Sequence, residues 1–170
     1  MKFISAVIAD ITESRLRMKI IVDTREQAPY TFSDYPVKII RDTLTAGDYS
    51  IPGFADLVAV ERKELGDLLG CLTHGRERFT RELERLRGYQ SAALIIEARL
   101  ETIQAGKYRS HMHPGAAVQS IISIMERYRL PVFFAPNRKA GESFIYDFLR
   151  HFAIHAAVRY KAIQHLDTGD

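Results

Sequence analysis

The sequence contains a single cysteine, Cys71, among its 170 residues, so an intramolecular disulfide is excluded. No apolar run reaches the roughly 18 residues that a membrane-spanning helix needs. The first residues also lack the layout of charged and small residues that marks a secretory signal peptide. These absences predict a protein without membrane segments, in a reducing setting such as the cytoplasm.

Internal repeats and low-complexity segments are also missing, which favours one domain. Apolar residues make up 46% of the chain and charged residues 26%, as in ordinary globular domains. The length is sufficient for one substantial core and short for two. We expect residues 1–17 to form an N-terminal extension and residues 18–170 to form a single domain, with Met18 as an alternative start.

The charge balance is mildly basic, with a formal net charge of +3 and a pI near 9.0. This balance permits nucleic-acid binding without demonstrating it. The distribution is more informative, because the arginines cluster in the middle of the chain, at Arg62, Arg76, Arg78, Arg81, Arg85 and Arg87.

Hydrophobic periodicity predicts alternating strands and helices. Strands are expected at 19–23, 37–41, 57–63, 92–97 and 131–135, and helices at 67–73, 76–89, 114–127 and 141–160. The Pro52-Gly53 turn predicts a hairpin. In the third helix the residues expected to face inward are Val118, Ile121, Ile122 and Met125. This order predicts an α/β sandwich around a mixed sheet.

The strand that ends at Lys63 has charged residues at its end. Alternate strand residues face the same side, so Glu61 and Lys63 share a face and Arg62 points the other way. A carboxylate can hold a hard cation. The neighbouring ammonium can position or deprotonate a water, or neutralise a phosphate.

Two further carboxylates are expected close to this strand end. Asp48 lies thirteen residues before Glu61 and would meet it if the hairpin pairs, and Asp23 ends the first strand. Mg²⁺ needs few protein carboxylates, keeps several waters and shares phosphate oxygens with its substrate. The pattern therefore predicts a site for metal-assisted hydrolysis of a phosphodiester.

The combined motif resembles the nuclease domain of the XPF family of structure-specific endonucleases. The matching segments are Asp23-Thr24-Arg25-Glu26, Gly47-Asp48-Tyr49, Val60-Glu61-Arg62-Lys63, Asp67-Leu68, Gly75-Arg76 and Leu94-Ile95-Ile96-Glu97. The resemblance extends from about residue 20 to residue 152. Each segment alone is weakly specific, whereas the set in this order is strongly specific.

The resemblance implies a restriction-endonuclease-like fold of the PD-(D/E)xK type, in three α/β/α layers with a central mixed sheet. It also implies DNA cleavage at branched sites or single-strand/duplex junctions, with Mg²⁺ as cofactor and Mn²⁺ as a substitute. The metal ligands implied are Asp23, Asp48 and Glu61, with Lys63 at the attacking water. The resemblance also implies that Arg25 and Arg62 are needed for activity and that Asp67 orients Lys63 or Arg62. The residues implied to bind DNA are Arg25, Arg76 and Arg78. A salt bridge is expected to support Arg62.

Eukaryotic and archaeal members of that family usually continue into a tandem helix-hairpin-helix module, for which this sequence has no room. We therefore expect DNA to be bound by the domain's own surface, by a homodimer, or with a partner DNA-binding protein. The last helix, with Phe144, Phe148, Phe152 and Ala156 along one stripe, can serve either the core or a dimer face. A lone domain is typical of a bacterial or bacteriophage setting.

Simpler interpretations stand beside these. Asp48, Glu61 and Lys63 can form a surface ion pair, and Asp23 and Arg25 a structural salt bridge in a loop. The arginines can form a solvated helix face, and His111 and His113 can lie at the surface or at a helix start rather than in a metal site. Two other functions also remain open. One is an inactive DNA-binding subunit of the same fold, and the other is a restriction-like or exonucleolytic enzyme. The retained acidic residues favour an active enzyme.

Overall fold

A computed structural model describes residues 18–164, so the N-terminal extension expected at residues 1–17 lies outside the described part of the chain. The strands are β1 (Met18–Asp23), β2 (Val37–Asp42), β3 (Tyr49–Ser50), β4 (Val58–Glu64), β5 (Ser91–Glu97) and β6 (Val132–Phe134). The helices are α1 (Leu65–Leu72), α2 (Arg76–Arg87), α3 (Leu100–Gln104), α4 (Pro114–Tyr128) and α5 (Arg138–Gln164). Within these residues, no helix has both the length and the apolar content to cross a membrane.

The strands form one mixed sheet in the order β2-β1-β3-β4-β5-β6. Strands β1 and β2 are parallel, as are β4, β5 and β6, while β3 is antiparallel to both of its neighbours. The predicted hairpin is confirmed, because Tyr49 of β3 lies opposite Val60 of β4. This pairing places the residue before β3 next to the middle of β4.

The sheet separates two hydrophobic cores, and the alternation of β4 and β5 decides which residue enters which core. Ala59 packs with helices α1, α2 and α4, together with Leu94 of β5. Val58 and Val60 face the other way and pack against α5. The predicted three-layer α/β/α architecture, with the restriction-endonuclease-like fold, is confirmed.

The inward face of helix α4 differs from the prediction. Ile121 is buried, but Ile122 and Met125 are 48% and 42% exposed. The buried stripe consists of Ala117, Ile121, Ile124 and Tyr128. Two apolar stripes run along this helix, and the one that contains the small Ala117 faces the core, in the same cluster as residues of α1, α2 and α3.

Helix α5 begins at Arg138, whereas the sequence predicts a start at Gly141. Gly141 therefore lies inside the helix. The Tyr30 hydroxyl packs against it, and an added Cβ would overlap that hydroxyl, so only glycine fits there. Glycine is tolerated in a helix interior when such a close approach requires it. The short helix α3 was not predicted at all.

Candidate active site

Three acidic residues lie side by side where strands β1, β3 and β4 meet. Asp23 ends β1, Asp48 directly precedes β3, and Glu61 lies within β4. The backbone N–H of Asp23 donates to the Asp48 carbonyl oxygen at 2.8 Å, and the Asp48 N–H donates to the Val60 carbonyl oxygen at 2.9 Å. The structure thus brings together the three positions whose carboxylates the sequence predicts to meet.

Gly47 makes this meeting sterically possible. Its φ is +78°, a conformation that residues with a Cβ rarely adopt. A Cβ on Gly47 would also lie 2.9 Å from the Ala59 Cβ, closer than real side chains approach. The glycine therefore lets the turn pack directly on β4 and places the Asp48 side chain at its edge.

The Asp48 carboxylate completes the hydrogen bonding of β4. Strand β3 has two residues, and its pairing with β4 stops at Val60. Beyond that point the Asp48 Oδ2 accepts the Arg62 backbone N–H at 2.7 Å, where a strand carbonyl would otherwise lie. Burial raises the pKa of Asp48 to about 6, and the Glu26 and Glu82 carboxylates add to the increase.

Glu61 is the most deeply buried acid of the site, with a side chain only 1% exposed. Its Oε1 accepts a hydrogen bond from the Lys63 ammonium, while its Oε2 is buried without a hydrogen-bond partner among the described residues. Burial, followed by the charge of Asp48, raises the pKa of Glu61 well above its usual range. A buried carboxylate oxygen without a partner is costly, and a bound cation would remove that cost.

Lys63 follows Glu61 on the same face of β4, as the strand alternation predicts. Its Nζ contacts Glu61, lies 3.7 Å from the Glu82 Oε2 and sits 5.6 Å from the centre of the Phe79 ring. Burial favours the neutral amine, but the Glu61 and Glu82 carboxylates outweigh it and raise the lysine pKa. Lys63 therefore remains an ammonium, which suits it to orient a water or a phosphate more than to remove a proton.

Asp23 is fully engaged by N–H donors. Its Oδ1 accepts the Arg25 backbone N–H and Nε, both at 2.8 Å, and its Oδ2 accepts Arg25 Nη2 at 2.9 Å and the Leu44 N–H at 2.7 Å. Burial opposes ionisation, but these donors lower the pKa of Asp23 below its usual value. The Arg25 side chain is held in place in this way while remaining 67% exposed.

This arrangement bears on the ligand set expected from the sequence, Asp23, Asp48 and Glu61, which stays a prediction. Between residues 18 and 164, no group of three or more His, Cys, Asp or Glu side chains is arranged to hold a metal ion. The Asp23 carboxylate orients Arg25, because all of its hydrogen bonds among the described residues go to Arg25 and Leu44. Asp48 and Glu61 remain as a pair of carboxylates, which is a sufficient number of protein ligands for Mg²⁺.

The opposite face of β4 carries the supporting salt bridge expected for Arg62. Arg62 donates to Glu97 Oε2 at 2.9 Å and to the two oxygens of Glu26 at 3.0 and 3.2 Å. The Tyr30 hydroxyl donates to Glu97 Oε1 at 2.5 Å, and Arg138 lies 4.7 Å from the centre of the Tyr30 ring. We call these five side chains the arginine framework. Burial opposes the charge of Arg62, but Glu26 and Glu97 outweigh it and raise its pKa.

Asp48 and Lys63 lie where two clefts join. The inner cleft, of about 380 Å³, contains Glu61 and Glu82, and the outer cleft, of about 570 Å³, extends along α1. Arg25 and Arg78 line both clefts, as their expected DNA-facing positions require.

Arg76, in contrast, lines a separate small cavity between α2 and α4. It is thus apart from the carboxylates, although the sequence places it with Arg25 and Arg78. The Arg76 side chain lies beside α4, whereas Gly75, which precedes it, lines the outer cleft.

Asp67 lies exposed in the first turn of α1 and lines the outer cleft. In residues 18–164 no hydrogen bond or ion pair joins it to Lys63 or Arg62, so the orienting contact expected of it is not found. His113 caps α4, its Nδ1 accepting the Gly115 N–H at 3.2 Å. The simpler interpretation of this histidine, a helix start, is therefore confirmed.

Comparison with protein families adds a decisive observation to this geometry. The model of the ERCC4 domain matches residues 22–148, three quarters of the chain. The chain belongs to the ERCC4 domain family. The match contains every residue of the clefts described above and the whole arginine framework.

The relatives of this ERCC4 domain are longer proteins. A Methanocaldococcus jannaschii protein named as an ATP-dependent RNA helicase is 30% identical over 120 residues, which are 71% of this chain and 14% of that protein. XPF from Aeropyrum pernix superimposes with a TM-score of 0.64 at 23% identity, covering 78% of this chain and 60% of that one. XPF in complex with DNA gives the same score at 22% identity, with 81% and 66% covered. The chain thus spans less than two thirds of each, and the solved structures establish the shared fold.

Two cleft residues of the ERCC4 domain were not assigned to the site from the sequence, although Arg85 belongs to the arginine cluster noted there. Glu82 and Arg85 line the inner cleft together with Arg78. The three residues lie at helical spacing i, i+4 and i+7 on α2, so one face of that helix points into the cleft. That spacing was the available signal, and the assumption of a solvated helix face concealed it.

Proposed function

We propose that this ERCC4 domain is a divalent-metal-dependent endonuclease that hydrolyses phosphodiester bonds in DNA. The observation that carries the proposal is the buried Oε2 of Glu61, which has no hydrogen-bond partner among residues 18–164 and lies beside the carboxylate of Asp48. A structural ion pair would satisfy both carboxylate oxygens, whereas a cation site leaves one available.

Asp48 and Glu61 would hold the metal ion, which is Mg²⁺ or, as a substitute, Mn²⁺. Their hard oxygen donors suit these cations, which complete their coordination with water and phosphate oxygens. The bound ion would supply Lewis acidity and a water of lowered pKa. On the same face, the Lys63 ammonium would orient the attacking water or the scissile phosphate. The Glu61–Lys63 contact would place the ammonium directly beside the metal ion.

The arginines of the clefts would bind the DNA backbone. Arg25 is held by Asp23 with its guanidinium largely exposed, and Arg78 and Arg85 project from α2 into the inner cleft. Guanidinium groups bind phosphates through paired hydrogen bonds. XPF from Aeropyrum pernix has been solved in complex with DNA, which supports DNA as the polymer bound here. Branched or junction DNA is the proposed substrate.

A cleavage panel tests the activity and the substrate together. Purified protein is incubated with flap, fork, linear duplex and single-stranded DNA, with Mg²⁺, with Mn²⁺ and with EDTA. We expect cutting of flap or fork DNA with either metal and none with EDTA. Preferential digestion of linear ends would indicate an exonuclease, and DNA binding without cutting under all conditions would indicate an inactive subunit.

We also propose that a second copy of this chain completes the DNA-binding surface. Within the stripe of Phe144, Phe148, Phe152 and Ala156, Phe152 is buried in the core and the other three are half-buried, with Phe144 stacked on Phe133. Ala156 and Tyr160 line an apolar cleft of about 450 Å³. Tyr160 is 63% exposed, and Ile163 further along α5 is 60% exposed. Light scattering after size exclusion is expected to give a dimer mass, and a monomer mass for Tyr160→Glu.

A further inference from the structure

Glu82 is a third carboxylate at the candidate site, and it comes from a helix while the two proposed metal ligands come from the sheet. Its side chain lines the inner cleft and is 26% exposed, and its Oε2 lies 3.7 Å from the Lys63 Nζ. Neither the family motif nor the spacing of the acidic residues in the strands points to it.

Lys63 is enclosed between two elements. Glu61 contacts its ammonium from β4, while Glu82 and the ring of Phe79, one turn earlier on α2, approach it from the helix. Its side chain is 17% exposed, so the ammonium has little freedom to seek other partners. The ammonium is therefore shared between a carboxylate of the metal pair and a carboxylate outside it.

The two carboxylates differ in what a bound cation would do to them. A metal ion on Glu61 would neutralise the charge that now attracts Lys63, and like charges would then repel the ammonium. Glu82 would keep its charge, because within residues 18–164 no three acidic side chains are arranged to hold one metal ion, which leaves Glu82 outside the Asp48–Glu61 pair. We propose that Glu82 is a positioning residue that holds Lys63 at the reacting phosphate once Asp48 and Glu61 carry the metal.

This inference rests on the proposed nuclease function, and it assigns Glu82 a role through Lys63 without contact to the substrate. Groups that orient the residues of a metal site typically contribute roughly 10- to 100-fold to activity or metal affinity. Because Glu82 is negatively charged, its removal would not weaken the binding of DNA.

The kinetic experiment compares Glu82→Gln, Glu82→Asp and the matched control Glu84→Gln, an exposed glutamate of the same helix. We expect Glu82→Gln to lower kcat by roughly 10- to 100-fold with an unchanged or lower KM for DNA. Glu82→Asp is expected to recover part of the loss, and Glu84→Gln to match wild type. A Glu82→Gln enzyme that cuts like Glu84→Gln overturns the proposal.

A double-mutant cycle then asks whether Glu82 acts through Lys63. In a Lys63→Met background, adding Glu82→Gln is expected to change the remaining activity by about twofold or less, since groups acting as a unit are non-additive. A full 10- to 100-fold further loss would show that Glu82 acts independently, and would overturn the inference.

A spectroscopic measurement separates this inference from the nuclease proposal. In protein labelled with ¹⁵N-lysine, the Lys63 ammonium signal is expected to stay protected from solvent exchange when Mg²⁺ alone is added. In Glu82→Gln the signal is expected to be protected without Mg²⁺ and lost with it. That pattern in a protein that cuts no DNA would reject the nuclease function while supporting the positioning role. Equal behaviour of both proteins would reject the positioning role whatever the activity.

Discussion

The two faces of strand β4 carry charged clusters of opposite character. On the α5 side, the guanidinium groups of Arg62 and Arg138 meet the carboxylates of Glu26 and Glu97, and each of these side chains has an ionic partner. On the α2 side, Lys63 serves both Glu61 and Glu82, while Asp48 adds a third carboxylate. In the first cluster every charge is paired. The second has an excess of carboxylates, and the Glu61 Oε2 has no hydrogen-bond partner in the part of the chain that the structure describes.

This difference would allow the protein to hold the proposed cation site without losing stability of the fold. Paired charges stabilise the strand from one side, so the other side can tolerate carboxylates that repel one another. Arg62 belongs to both faces, because its side chain enters the arginine framework and its backbone N–H binds Asp48. Five experiments test the comparison.

The largest loss of stability is expected from the cluster on the α5 side of β4, in which every charge is paired. Arg62→Met keeps much of the side-chain volume but leaves Glu26 and Glu97 buried without the guanidinium that joins them. Removing one partner of a buried ion pair costs about 3–5 kcal/mol. We expect that loss in the free energy of unfolding measured in urea. The exposed Arg81→Met of α2 serves as control, within about 0.5 kcal/mol of wild type. A loss below about 1 kcal/mol would assign Arg62 to an ordinary surface pair.

The opposite result is expected on the cleft face. Glu61→Gln removes a charge that has no full compensation, so the metal-free protein should unfold at the same or a higher temperature. Cleavage should fall by roughly 10²- to 10³-fold, the usual cost of losing one stabilising group at the reacting centre. The exposed Glu126→Gln of α4 should alter neither quantity. If Glu61→Gln cuts as fast as wild type, Glu61 is not a ligand.

The next experiment measures how the stability of the α2-side cluster depends on pH. The pKa of Asp48 is raised to about 6 in the folded protein, so folding takes up a proton that the unfolded chain binds only near pH 4. The stability contributed by protonated Asp48 is therefore complete below pH 4 and lost as pH rises through 6. Relative to wild type, metal-free Asp48→Asn should gain on the order of 1–3 kcal/mol between pH 4 and pH 7.5.

Added Mg²⁺ supplies the complementary measurement. Its binding requires deprotonated carboxylates, so it should raise the melting temperature of wild type at pH 7.5 and much less at pH 5. Asp48→Asn should show little increase at either pH. An equal increase in both proteins would locate the cation away from Asp48.

The smallest effect is expected at the rim of the cleft. Arg85→Gln should weaken DNA binding moderately and reduce the slope of log K against log salt by about 1, as for one lost phosphate contact. Arg81→Gln, on the same helix but outside the cleft, should leave the slope unchanged. Equal slopes for the two variants would place the DNA elsewhere.

The sequence was most informative where the determining interactions are local. The alternation of β4 placed Glu61 and Lys63 opposite Arg62, and the Pro52-Gly53 turn placed Asp48 beside them, because period and turn chemistry depend on adjacent residues. The pairing of Asp23 with Arg25 is also local, but a carboxylate at a strand end does not reveal whether it will bind a guanidinium or a metal.

Other features depend on tertiary packing and could not be inferred in this way. Arg62 finds Glu26 and Glu97 at sequence separations of 36 and 35 residues, and only the strand order brings them together. The rotation of α4 was missed because two apolar stripes satisfy the same helical period. Glu82 was visible in the spacing of α2, but its role depends on Lys63 across the cleft.

The hydrogen bond from the Arg62 backbone to Asp48 has a consequence for attempts to transplant the site. Both proposed ligands belong to one hairpin, residues 47–63, which is short enough to synthesise or to graft onto another scaffold. Such a graft would carry the carboxylates without Glu26, Glu97 and Arg138, the groups that keep Arg62 and its strand in place. The smallest portable unit is therefore the assembled sheet from β1 to β5 with the start of α5, and a miniature enzyme built from the hairpin alone would lack the means to keep its ligands apart and aligned.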